Sequence, residues 1–79
     1  MTMRIRLRYF GQLQDVTGKS EEFFAEKFTT IGKLRLFLIE RYPKLANINF
    51  KMAQNNKIDI DSSQLNGTLI DLLPPFSGG

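Results

Sequence analysis

Apolar and basic residues alternate without a break at the start of the chain. Met3, Ile5, Leu7 and Tyr9 share one parity, and Arg4, Arg6 and Arg8 the other. A period of two predicts a β-strand with one buried face. Phe10 sets an aromatic on the arginine side of what reads as an edge-like strand, and Gly11 ends the run. Residues 12–17 read as loop or a short helical turn, closed by Gly18. Residues 20–28, rich in Phe with interleaved Glu, form a second strand candidate. Its inward phase stays open, because Phe23 and Phe24 point to opposite faces. The short gap predicts antiparallel pairing, with Glu21, Glu22 or Glu26 across from Arg4, Arg6 or Arg8.

The pattern then takes the helical period. Ile31, Leu34, Phe37, Leu38 and Tyr42 fall on one stripe, as on a helix packed against a core. Thr30 is suited to cap its start. Pro43 cannot continue the helix, and it pushes Tyr42 toward extended geometry. Residues 44–49 read as connection and 50–54 as a strand. Asn55-Asn56 is a turn pair tolerant of positive φ, and residues 57–61 alternate around Ile58 and Ile60. Residues 69–73 make the last strand, which Pro74-Pro75 end because proline has no N–H for a ladder. If Ile70 and Leu72 are the buried pair of that strand, Leu73 belongs to the other face. Strand, strand, helix, two or three short strands and a tail predict an α+β fold with one helix across one sheet. One domain is expected over residues 1–73, with residues 74–79 as its tail.

Composition narrows the chemistry. With 79 residues, 42% of them hydrophobic, and seven Phe, the chain suits a small folded core rather than disorder. It has no Cys and no His. Disulfides, thiolate nucleophiles and Cys-based metal sites are excluded, as is the commonest general base near neutral pH. Asp59, Asp61 and Asp71 lack histidine support and any metal-loop pattern; they read as solubilising surface charges, and no metal site is expected. The net charge is +3, with basic residues scattered from Arg4 to Lys57. Arg4, Arg6 and Arg8 read as a solvated strand face rather than a nucleic-acid reader, which brings more positive charge and stacking aromatics. No apolar run reaches signal-peptide or membrane-spanning length. The expectation is a soluble cytoplasmic protein without nucleic-acid or membrane partners.

Pro74-Pro75-Phe76-Ser77-Gly78-Gly79 follows the apolar last strand directly. A stiff diproline spacer, an aromatic and two residues without side chains form a tail that reaches about 20 Å when extended. Gly78-Gly79 gives the smallest possible cross-section and takes φ of either sign. Such a tail suits threading through a narrow tunnel to present a terminal carboxylate in a buried active site. That carboxylate is a poor electrophile until it becomes an anhydride such as an acyl-adenylate. Attack by a sulfur donor then leaves a thiocarboxylate, a soft nucleophile made without any side chain.

The run Leu72-Leu73-Pro74-Pro75-Phe76-Ser77-Gly78-Gly79 resembles the terminus of the molybdopterin synthase small subunits. Their chains typically end in two apolar residues, Pro-Pro, an apolar residue, a small residue and Gly-Gly. The resemblance spans essentially the whole chain, through Tyr9-Phe10, the helix opening at Thr30, and Ala53-Gln54-Asn55. It implies a β-grasp, ubiquitin-like fold: a mixed sheet of four to five strands on one main helix, with an extended, flexible C-terminal tail. It further implies that an adenylyltransferase of the ubiquitin-activating type adenylates Gly79 with ATP, and that a sulfur donor system then loads it. No permanently bound cofactor is implied; the sulfur is carried covalently on Gly79. The loaded tail enters the large synthase subunit and passes sulfur to cyclic pyranopterin monophosphate, in a heterotetramer of two small and two large subunits. By the same resemblance Gly79 bears the sulfur and Gly78 is its tunnel-fitting neighbour. Phe10, Ile58 and Leu73 match the docking face, and Pro74, Pro75, Phe76 and Ser77 belong to the inserted tail. The chain departs from the family pattern at Thr68, where Asp commonly follows Gly, and at Gln14, where a basic residue is frequent.

Two other readings use the same terminal chemistry. One is the thiamin-pathway sulfur carrier, whose chains are shorter and lack the Pro-Pro approach. The other is a ubiquitin-like modifier, which joins its terminal glycine to lysines of other proteins. A passive binding module with a dispensable tail is a third. The chain shows no catalytic set of its own, so it is expected to act as a sulfur-donating subunit rather than alone.

Overall fold

The alternation at the start of the chain becomes β1 (Ile5–Tyr9), with Ile5, Leu7 and Tyr9 buried. The structure is a computed structural model that describes residues 4–75. Phe76, Ser77, Gly78 and Gly79, on which the tail chemistry falls, lie outside the described residues. After β1 come α1 (Gln12–Thr17), β2 (Glu21–Phe24), α2 (Ile31–Arg41) and a 3-10 helix (Pro43–Asn47). Three strands follow: β3 (Lys51–Gln54), β4 (Lys57–Asp59) and β5 (Leu69–Leu73).

The sheet order is β2-β1-β5-β3-β4. β1 and β5 run parallel at its centre, and the other neighbours are antiparallel. This is the mixed five-stranded β-grasp sheet crossed by one main helix. β1 is therefore not an edge strand: it is paired on both sides, and the edges are β2 and β4. The phase of β2 is settled by its register, with Phe24 opposite Ile5 in the core and Phe23 opposite Arg6 on the outer face. β2 ends at Phe24, so residues 25–28 continue outside the strand.

Helix α2 supplies the other half of the core. Ile31, Leu34 and Leu38 are buried against Leu7, Tyr9, Met52, Ile70 and Leu72. Each such side chain contributes roughly 1.5–3 kcal/mol when fully removed from water. The N–H groups of its first three residues, which have no partner in the helix ladder, are all satisfied, and Leu34 begins that ladder. Ile31 donates to Ser63 O (3.0 Å), Gly32 to Asp61 O (2.9 Å) and Leu34 to Thr30 O (3.3 Å). Lys33 N–H donates to Thr30 Oγ1 at 3.2 Å, which makes Thr30 the N-cap expected from the sequence. The loop between β4 and β5 thus closes the helix end, and it comes so near that a Cβ on Gly32 would lie 3.1 Å from Asp61 O. At the other end Pro43 stops α2 and opens the 3-10 helix, which buries Leu45 where the sequence suggested only a connection.

Two polar clusters fix the remaining elements. Glu22 Oε1 accepts from Tyr9 Oη (2.8 Å) and Tyr42 Oη (2.7 Å), while Oε2 accepts from Lys19 Nζ and Arg41 Nη2, each at 2.9 Å. Burial works against its ionisation, but the hydrogen bonds from Lys19, Tyr42, Tyr9 and Arg41 outweigh it and hold the carboxyl at about 2. Burial, reinforced by the bond to Glu22, pushes the Tyr9 hydroxyl far above its ordinary range. At the far end, buried Gln54 donates to Asp59 Oδ2 (2.7 Å) and Gln64 O (2.8 Å). Its Oε1 accepts from the N–H groups of Asn66 and Gly67, both at 3.0 Å. Asn55 and Asn56 take φ of 53° and 69°, the two positive values of a type I′ hairpin between β3 and β4.

Candidate docking face and tail root

The helix covers one face of the sheet and leaves the other open. Because residues paired across strands share a face, the register defines that surface row by row. The central row runs Glu21, Arg8, Asp71, Ala53, Ile58 across all five strands. Toward the β5 C-terminus lie Phe10, Leu73 and Lys51: Leu73 pairs with Lys51, and Phe10 N–H reaches Leu72 O at 3.1 Å. Toward the β5 N-terminus lie Phe23, Arg6 and Leu69.

Three residues assigned to docking by resemblance, Phe10, Ile58 and Leu73, therefore stand on one surface. Phe10 is 37% exposed and Ile58 50% exposed, while Leu73 is partly covered. Ile70 and Leu72 are the buried pair of β5, so Leu73 does take the outer face. Phe23, at 52% exposure, joins the same apolar surface. Sequence reading left it unassigned, because the pattern of residues 20–28 fits either phase.

Asp71 is a correction. It is 7% exposed rather than a solubilising surface charge. Arg8 Nε donates to its Oδ1 at 2.7 Å and Arg8 Nη2 to its Oδ2 at 2.9 Å, a two-pronged grip across the parallel pair. A carboxylate within an apolar strand needs such a partner, and that was the signal available in Leu69-Ile70-Asp71-Leu72-Leu73. Asp59 and Asp61 also have structural work: Asp59 holds Gln54, and Asp61 accepts from Arg35 Nε at 2.8 Å. The arginine face is likewise more than solvated surface. Arg6 is bonded to Glu21 at 2.8 Å, and the Arg8 guanidinium lies 5.6 Å from the Phe10 ring centre.

β5 carries Leu73 and continues straight into Pro74 and Pro75, both partly covered. Pro74 sits against Gly11, at the turn that leaves β1. Gln14, at one of the positions that depart from the family pattern, donates from Nε2 to Tyr9 O at 3.0 Å and braces that turn. Thr68, at the other, gives its carbonyl oxygen to Arg6 N–H at 2.7 Å at the start of the parallel pair. Among the described residues no group of three or more acidic side chains is placed to hold a metal ion. Among them, too, no helix is long and apolar enough to cross a membrane.

The sequence profile of the ThiS family matches residues 7–79. Among solved structures, the chain is similar to a putative molybdopterin converting factor subunit 1 from Pyrococcus furiosus. That match has a TM-score of 0.81 and 16% identity, covering 94% of this chain and 99% of that one. SAMP1 from Haloferax volcanii matches with a TM-score of 0.77 and 19% identity, over 96% of this chain and 99% of that one. At these identities the likeness is one of fold. A chain from the complex of subunits 1 and 2 of the Helicobacter pylori molybdopterin-converting factor reaches 26% identity with a TM-score of 0.65. It covers 98% of this chain and 100% of that one.

Proposed function

The chain belongs to the ThiS family of ubiquitin-like sulfur carriers, and we propose that it serves as the sulfur-donating small subunit of a molybdopterin synthase. The carboxylate of Gly79 attacks ATP on an activating enzyme of the ubiquitin-activating type, giving an acyl-adenylate and pyrophosphate. A donor at the oxidation level of sulfide displaces AMP and leaves the thiocarboxylate. The open face then docks on the large subunit, the thiocarboxylate sulfur bonds to cyclic pyranopterin monophosphate, and water cleaves the acyl–sulfur bond, which leaves the sulfur on the pterin and returns Gly79 to a carboxylate.

The observation that carries this reading is the continuity of face and tail. The strand that presents Leu73 beside Phe10 leads without a break into Pro74-Pro75 and the Gly78-Gly79 end of the sequence. A partner that covers the face thereby also receives the root of the tail. The chain supplies a docking surface and a carboxylate, so the remaining chemistry belongs to its partners. The Helicobacter pylori relative, described as a complex of two subunits, supports a large-subunit partner here.

A single-turnover mixture of loaded protein, large subunit and cyclic pyranopterin monophosphate tests the proposal. Dithiolene product is expected, together with return of the carrier to its unloaded mass, and neither should occur when Gly79 is deleted. Stable conjugates to lysines of other proteins, with no dithiolene product, would instead make the chain a modifier.

A further inference from the structure

We infer that the open face is built for a protein partner that covers Phe10, Leu73 and Ile58 and brings an Asp or Glu carboxylate onto Arg8. The inference rests on the docking reading above and goes beyond it by naming the chemistry that the partner must present.

The Arg8–Asp71 pair stands at the centre of a face on which apolar side chains alternate with Arg6, Glu21 and Lys51. Arg8 and Asp71 occupy the central row, flanked by Phe10 and Leu73 on one side and by Leu69 and Phe23 on the other. Ala53 and Ile58 continue the row to the sheet edge. The grip on Asp71 uses two of the guanidinium's five N–H donors, through Nε and Nη2. The remaining donors have no other acceptor among the described residues, and the Arg8 side chain is one-third exposed. A partner that covers Phe10, Leu73 and Ile58 also strips water from those donors. Charged donors left buried and unpaired are strongly unfavourable. The partner must therefore bring an acceptor, and a carboxylate matches the guanidinium fork best.

Charge placement points the same way. By register the open face carries Arg6, Arg8 and Lys51 against Glu21 and Asp71, a net positive charge. An acidic protein surface is steered toward such a face. A nucleic acid fits less well, despite the aromatics. Guanidinium groups of Arg6 and Arg8 lie 6.0 Å and 5.6 Å from the Phe23 and Phe10 ring centres, over the faces on which bases would stack. Glu21 and Asp71 would also repel phosphates.

The test measures binding to the purified large subunit from the same source at low and high ionic strength. The double variant Arg8→Leu with Asp71→Ala removes both charges and orphans neither, and a thermal melt confirms that it folds. Affinity should fall by about tenfold or more, and the salt dependence of the wild type should flatten in the variant. Arg8→Lys keeps the charge without the fork, so its affinity should fall between the two. Should the double variant fail to fold, Arg8→Lys and the wild-type salt dependence decide the matter. Equal binding by wild type and variants, or a wild-type affinity indifferent to salt, overturns the inference while leaving the docking reading intact. Competition for the face by a single-stranded oligonucleotide also overturns it. No binding by the wild type removes the docking reading itself, and this inference with it.

Discussion

Gly11 lies against Pro74: a Cβ on Gly11 would stand 3.1 Å from Pro74 Cγ. With φ +58° and ψ −135°, and with Phe10 O accepting from Leu13 N–H at 3.1 Å, Gly11 takes the glycine position of a type II′ turn. The chain thus leaves β1 just where the tail begins, and the root of the tail rests on the turn next to Phe10. Docking face and tail root are joined through this contact.

Gly11→Ala forces a side chain into that conformation and against the proline ring. It should lower stability by about 1–3 kcal/mol, read from urea unfolding. A variant as stable as the wild type would contradict the contact.

Phe10→Ala separates docking from folding. The residue is 37% exposed, and its ring packs beside the partly exposed Arg8 rather than in the core. Its loss should change the melting temperature little while weakening large-subunit binding by about tenfold or more. Loss of fold with binding, in equal measure, would place Phe10 in the core instead.

Glu22 gives the fold a defined acid sensitivity. Folding lowers its pKa from the ordinary 4.5 to about 2, so the unfolded chain takes up this proton first as pH falls. The stabilisation is complete above pH 4.5 and is lost as pH drops toward 2. Its size, on the order of 3 kcal/mol from the shift, should appear as weaker folding of Glu22→Gln at neutral pH. The variant's urea midpoint should also depend less on pH across that window. An unchanged pH profile would show that the cluster of Tyr9, Tyr42, Lys19 and Arg41 does not act through the charge.

Gln54→Leu tests the other polar cluster. It removes two donors and the acceptor for Asn66 and Gly67, leaving polar groups in the loop between β4 and β5 unpaired. A cost of about 1–3 kcal/mol is expected for each group left buried without a partner. Hydrogen exchange at the Gly67 amide should speed up well beyond the global effect. Protection that falls only in step with global stability would contradict a local role.

Much of this architecture was legible in the sequence because local periods carried it. Strict alternation around Ile5, Leu7 and Tyr9, the stripe from Ile31 to Leu38 and the diproline stop all report on nearest neighbours. The last strand, the Thr30 cap and the Asn55-Asn56 turn appear where those signals put them. What stayed hidden depends on pairing between distant segments. Only the parallel register of β1 with β5 brings Arg8 to Asp71, 63 positions apart, and makes β1 central rather than edge-like. The phase of β2 was ambiguous because Phe23 and Phe24 suit either face, and the register against Ile5 and Arg6 decides it. The 3-10 helix was missed because residues 43–47 bury only Leu45, too little for a visible period.

Intact-mass spectrometry reads sulfur loading at Gly79 without an intermediary. The protein is incubated with ATP, a ubiquitin-activating-type enzyme and a sulfur donor, beside a variant lacking Gly79. A gain equal to the difference between sulfur and oxygen is expected, dependent on ATP and absent from the variant. No gain with an activating enzyme shown to be competent, or an equal gain without Gly79, would contradict loading at Gly79.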